Sequence, residues 1–159
     1  SDKKVWMFDT FEGMTEPTNY DVRAASKTSA SVKYQETLAE NHSEWCYASI
    51  EEVRDNCKSS LIDISSVKFI KGDVIKTLAV NENLPKEISV LRLDTDWYES
   101  TKVELEVLYP ILSEKGVLIV DDYGCWEGAR KAIDEYFRNQ QHKPLLNVVD
   151  STGRTALKV

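Results

Sequence analysis

Sulfur and imidazole ligands are scarce in this sequence: its 159 residues include three cysteines and two histidines. Cys46, Cys57 and Cys125 lack close metal-ligand spacing and are odd in number, which argues against a disulfide framework and a zinc ribbon. They read as buried or half-buried thiols. His42 and His142 form no local motif, and with no nucleophile elbow a Ser-His-Asp hydrolase has nothing to stand on. Positive charge is also short. Lys and Arg number 20 against 27 Asp and Glu, a formal net charge of −7, so the basic face that nucleic-acid binding needs is missing. No apolar run approaches the ~20 residues of a membrane helix, and no signal-peptide pattern opens the chain. The expectation is an acidic, soluble, cytoplasmic domain with no membrane or nucleic-acid partner.

Four apolar runs have strand length and β-branched or aromatic content: 5–8, 67–70, 88–93 and 117–120. The last two are nearly continuous and read as strands buried on both faces, with Arg92 the exception, explained by a buried ion pair or a strand-end position. Ser49-Ile50-Glu51-Glu52 has the capping-box pattern and opens a helix to about Ser59. Thr101 to Glu104 repeats the pattern ahead of Val103, Leu105, Leu108 and Ile111 or Leu112, with Gly116 as the stop. A third helix spans about 126–139, with Ala129, Ile133, Tyr136 and Phe137 facing the core. Runs at 145–149 and 155–159, split by Ser151-Thr152-Gly153, predict an antiparallel hairpin. The order predicts an α/β domain with a mainly parallel sheet and an antiparallel end. Residues 14–44 are polar and long for a connection, and read as a lid or mobile insertion.

What the chain does have is acids at strand ends. Leu93 is followed by Asp94-Thr95-Asp96, and Val120 by Asp121-Asp122. The interval between them suits one helix and one returning strand, which sets the two strand ends side by side at the edge where α/β sheets bind ligands. Two unit charges ~4 Å apart cost about 4 kcal/mol at an effective dielectric of 20, so protonation, basic partners or a cation must offset the crowding. An all-oxygen site suits Mg²⁺, Ca²⁺ or Mn²⁺. Asp9, after 5–8, can accept the hydroxyls of a ribose. Gly72-Asp73 follows the run 67–70 in the same manner, although capping is the commoner job of such acids.

VWMFDTFEG (5–13), LRLDTDWYEST (91–101), LYP (108–110), GVLIVDDY (116–123) and the segment 126–136, with Arg130 and Asp134, together resemble the macrocin O-methyltransferase family. The resemblance covers most of the chain from residue 3 onward. It implies a Rossmann-like class I methyltransferase fold that uses S-adenosylmethionine and Mg²⁺ and methylates hydroxyls, typically on sugars of natural products. It implies that Asp94, Asp121 and Asp122 ligate the metal, which would acidify the acceptor hydroxyl, and that Asp94 with Asp96 takes the proton. Asp9 would hold the ribose, Ser49 and Asp73 would lie near the adenine with Gly72 also binding the cofactor, and Tyr123 and Trp126 would line the acceptor pocket.

The departure concerns glycine. The six glycines, at 13, 72, 116, 124, 128 and 153, form no Gly-rich loop of the kind that cradles the methionine part of the cofactor. The expectation is an N-terminally truncated methyltransferase domain that begins at the family's second strand. The missing first strand lies between the second and fourth in that fold, so either unpaired sheet edges, open to self-association into a homo-oligomer, or a rearrangement is expected. Two other readings compete. Asp-Thr-Asp also suits a metal-dependent nucleotide-sugar transferase, and the missing loop suits a non-catalytic binding or assembly domain.

Overall fold

The computed structural model describes residues 3–60 and 63–159. The chain divides into two compact units, one made of residues 1–16 and 33–83 and the other of 17–32 and 84–159.

In the first unit, β1 (Val5–Asp9) pairs in parallel with β2 (Val67–Lys71), with Val5 opposite Val67 and Asp9 opposite Lys71. Helix α1 (Ala30–Glu36) runs out of the 17–32 segment into this unit. Helix α2 (Ile50–Ser59) starts where its capping box predicts: the Ser49 hydroxyl accepts from the Glu52 N–H at 3.2 Å. The single turn α3 (Val74–Thr77) is capped by Asp73, whose carboxylate accepts from the Ile75 N–H at 3.0 Å. Gly72 joins β2 to that turn at φ +137°, a backbone that side chains rarely adopt, and its N–H donates to the Asp9 carbonyl at 2.9 Å.

The second unit holds β3 (Ile88–Leu93), α4 (Tyr98–Leu108), β4 (Leu112–Val120), α5 (Glu127–Arg138), β5 (Asn147–Val148) and β6 (Arg154–Leu157). The sheet order is β3-β4-β6-β5, with β3 and β4 parallel and the last two strands an antiparallel hairpin. Leu105, Leu118 and Ile133 are completely buried, and α4 packs on α5 through Tyr109 edge-on to Phe137 at 5.0 Å. Among the described residues β1 pairs only with β2 and β3 only with β4, and no helix is long and apolar enough to cross a membrane.

Three local expectations are corrected. Strand β3 is not buried on both faces: Val90 is 58% exposed and Arg92 is exposed while Leu91 and Leu93 are buried, so only one face of the strand packs on the core. Helix α4 begins at Tyr98, and the Thr101–Glu104 pattern caps nothing, since Thr101 and Glu104 are both buried inside the helix. The helix ends before Pro110, so Gly116 is not its stop but a residue within β4. The Lys158 ammonium covers that helix end by donating to the carbonyls of Tyr109, Pro110 and Leu112 at 2.9, 2.9 and 2.6 Å.

Residues 17–32 form a strap within the second unit. Val22 bridges to Ser29 and Arg23 to Trp126, and the Ala24 N–H donates to the Cys125 carbonyl at 2.8 Å. The anchor is Asp21, which is fully buried. Its carboxylate accepts from the Thr18 N–H and hydroxyl at 2.7 and 2.8 Å and from the Tyr98 N–H at 2.8 Å, so the strap supplies the cap that Trp97, at the N-terminus of α4, lacks. Gly128 permits the approach: a Cβ there would stand 2.0 Å from Asp21 Oδ1.

Candidate metal centre and active site

Parallel register builds the acidic cluster. Leu93 lies opposite Val120, and the Asp121 N–H continues the ladder by donating to the Leu93 carbonyl at 3.0 Å. One residue beyond that pair on each strand stand Asp94 and Asp121. Asp94, Asp121 and Asp122 each present a carboxylate oxygen, and these oxygens all lie within 4.8 Å of one another. The turn after β3 is set by Asp96 in a left-handed conformation at φ +64°, which Asp tolerates better than most residues. The Trp97 N–H closes that turn onto the Thr95 carbonyl at 2.7 Å.

The electrostatics are those of a crowded, half-desolvated acid site. Burial pushes Asp122 up to about 8, helped by its contact with the Asp96 carboxyl and by Asp121. Asp94 rises to about 6 through burial and its acidic neighbours, against the pull of Arg92. Burial also raises Asp96, while hydrogen bonds from Asp122 and the Trp126 side chain work the other way. Behind the Asp-Thr-Asp turn, Glu104 accepts from the Thr95 hydroxyl at 2.9 Å, and its burial inside the core raises it to about 8.

The oxygens are not equally engaged. Arg92 reaches over both strands, its Nη2 lying 2.8 Å from Asp94 Oδ2 and 3.1 Å from Asp121 Oδ1. The interruption of the β3 run is therefore an exposed ion pair, not a buried one. Asp122 Oδ2, by contrast, is buried with no hydrogen-bond partner. An orphaned carboxylate oxygen beside two others, with no sulfur or imidazole in the set, fits a hard divalent cation such as Mg²⁺ or Mn²⁺.

The remaining candidates have identifiable local partners. Trp126 is buried, 5.1 Å from Trp97 in an edge-on pair, so it is a core residue as well as a partner of Asp96. Tyr123 is half-buried, and its hydroxyl donates to Asp134 at 2.8 Å. Asp9, Ser49, Gly72 and Asp73 all belong to the first unit. There Asp9 accepts from the Phe11 N–H at 2.5 Å, while Ser49 and Asp73 cap helices. Asp21, Glu104 and Arg154 were not singled out from the sequence. Glu104 was hidden in a false capping pattern, and nothing near Asp21 in the sequence signals a partner 77 residues away.

The α/β unit, with its parallel strands and an antiparallel hairpin at its edge, has the fold of a class I methyltransferase domain. Solved structures agree. The O-methyltransferase NovP matches with a TM-score of 0.77 and 29% identity over 99% of this chain and 61% of that one. The calicheamicin methyltransferase CalS11 matches in fold, with a TM-score of 0.64 at 19% identity. The model of the macrocin O-methyltransferase family matches residues 1–156, and the chain belongs to that family. Among curated relatives, the demethyldecarbamoylnovobiocin O-methyltransferase of Streptomyces niveus is 33% identical over 85% of this chain and 47% of its own. A tetracenomycin-C rhamnosyl 4'-O-methyltransferase of Streptomyces olivaceus is 32% identical over 95% of this chain and 53% of its own. The chain spans about half the length of these relatives.

Proposed function

We propose that the chain carries the metal and acceptor side of an S-adenosylmethionine-dependent, divalent-metal-dependent O-methyltransferase that acts on a hydroxyl of a sugar or similar small molecule. The observation that carries this reading is the Asp94–Asp121–Asp122 cluster with the orphaned Asp122 oxygen. The named activities of the novobiocin and rhamnosyl-tetracenomycin relatives support the acceptor class.

Asp94, Asp121 and Asp122 would hold the cation, which when bound supplies Lewis acidity toward the acceptor hydroxyl. Asp94 with Asp96 would take the proton that leaves that hydroxyl. Burial raises Asp96, which makes its carboxylate a better proton acceptor than an exposed aspartate. A cation held by Asp94 would lower that carboxylate's basicity, so acidification of the hydroxyl would carry most of the proton transfer. The Trp126 contact and the left-handed turn fix Asp96 in place. The Arg92 guanidinium offsets like-charge repulsion between Asp94 and Asp121. In the first unit, Asp9 is assigned to the ribose of the cofactor and Ser49 and Asp73 to the neighbourhood of its adenine, with Gly72 also binding the cofactor.

The test is transfer of labelled methyl from S-adenosylmethionine to a panel of sugar-bearing natural products, with Mg²⁺ or with a chelator. Metal-dependent labelling of an acceptor hydroxyl is the expected result. Chelator-insensitive labelling, or no Mn²⁺ binding in a direct titration, would overturn the metal reading.

A further inference from the structure

One group of side chains beside the acidic cluster has no part in the chemistry above. Tyr123 directly follows Asp122, and two guanidinium groups stack on its ring: the central carbon of Arg130, from α5, lies 5.0 Å from the ring centroid, and that of Arg154, from β6, lies 5.1 Å away. The Tyr123 hydroxyl is tied to Asp134, which fixes the ring between strand end and helix. Arg154 is itself anchored, its Nη1 donating to the carbonyls of Asp150 and Gly153 at 3.1 and 2.8 Å. Those bonds occupy one nitrogen of the guanidinium. Among the described residues neither Arg130 nor Arg154 forms an ion pair with a carboxylate, although six other basic residues of this acid-rich chain do.

Two cations gathered on one ring repel each other, Asp150 acts on Arg154 without forming an ion pair, and a bound anion offsets the repulsion. The planar guanidinium fork matches the oxygens of a phosphate: Arg154 keeps the edges that the backbone does not use, and Arg130 those not turned to the Tyr123 hydroxyl. A neutral sugar needs no such pair. A phosphate-bearing acceptor approaching four aspartates does need positive charge on its route.

We propose that Tyr123, Arg130 and Arg154 form an anion subsite that receives a phosphate or diphosphate group of the acceptor, so that its sugar hydroxyl reaches the acidic cluster. This proposal rests on the methyltransferase reading for what lies next to the subsite, but binding at the subsite can be measured without it.

The experiment is calorimetric titration of the full, chelator-treated chain with inorganic pyrophosphate and with a nucleoside diphosphate, alongside a separate Mn²⁺ titration. The same titrations are run on Arg130→Gln and Arg154→Gln after circular dichroism has shown that both are folded. Pyrophosphate binding that weakens about tenfold or more in each variant, with Mn²⁺ affinity unchanged, supports the subsite. Tighter binding of the nucleoside diphosphate than of pyrophosphate identifies a nucleotide-sugar acceptor, and equal binding a simpler sugar phosphate. Mn²⁺ binding without any pyrophosphate binding, or equal pyrophosphate affinity in wild type and variants, overturns the subsite and leaves the metal reading standing. Arginine-dependent pyrophosphate binding without Mn²⁺ binding supports the subsite and overturns the metal reading.

Discussion

Arg92 on β3 and Asp121 on β4 meet across the parallel pair at 3.1 Å, with the same guanidinium nitrogen 2.8 Å from Asp94. The arginine thus shares carboxylates with any cation that the cluster takes up. Exposed pairs of this kind contribute about 0.2–1 kcal/mol each. Arg92→Gln should lower the melting temperature of the metal-free chain by about 2–4 °C. Because the substitution removes a competitor for the same oxygens, added Mn²⁺ should raise the melting temperature of the variant more than that of wild type. Differential scanning fluorimetry with and without metal reads both effects.

Asp121→Ala removes one of three candidate ligands and leaves Arg92 on Asp94 alone. Divalent-metal binding by calorimetry should be lost. Unchanged Mn²⁺ affinity would show that Asp121 is no ligand.

Metal affinity should rise with pH. Asp122 is raised to about 8 and Asp94 to about 6, so each holds a proton below those values, and a cation must displace it. Mn²⁺ affinity should therefore climb through pH 6–8 and level off above. A flat profile would contradict the burial argument.

Glu104 offers a separate test of stability. Its folded-state value, about 8, lies above the ordinary carboxylate value of 4.5. The folded chain binds the proton more tightly than the unfolded chain, so stability is fully present below the ordinary value and falls as pH rises toward 8. Glu104→Gln keeps an acceptor for the Thr95 hydroxyl and removes the buried charge. It should leave the melting temperature nearly unchanged at pH 4 and raise it at pH 8.5.

Asp21→Ala should cost about 2–4 kcal/mol, since it leaves the Tyr98 and Thr18 N–H groups without their acceptor at a buried site. Hydrogen exchange should speed up across 17–32 and in the first turn of α4 before it does elsewhere.

How far the sequence carries depends on the range of each interaction. The four main strands and the adjacency of Asp94 and Asp121 follow from apolar runs and from the length of one connecting helix, both local quantities. The start of α4 does not follow, because its cap comes from Asp21 and the Thr101–Glu104 pattern only imitates a helix start. The same holds for Glu104, a charged residue on the buried face of α4, and for Arg154, whose meeting with Tyr123 depends on how the hairpin returns beside β4. The open face of β3 is hidden for a related reason: a run of Ile, Val and Leu reports hydrophobicity but not which faces of the strand are covered.

The buried protons also change what the chain's charge means. Formal counting assigns −7 at neutral pH, yet Asp122 and Glu104, each raised to about 8, are largely protonated there in the metal-free fold. The folded chain should migrate in an electric field as a species nearly two charges less negative than its composition implies. A divalent cation that enters the cluster would then exchange with a proton of Asp122 as well as adding its own charge. The measured heat of metal uptake should accordingly shift with the ionisation enthalpy of the buffer.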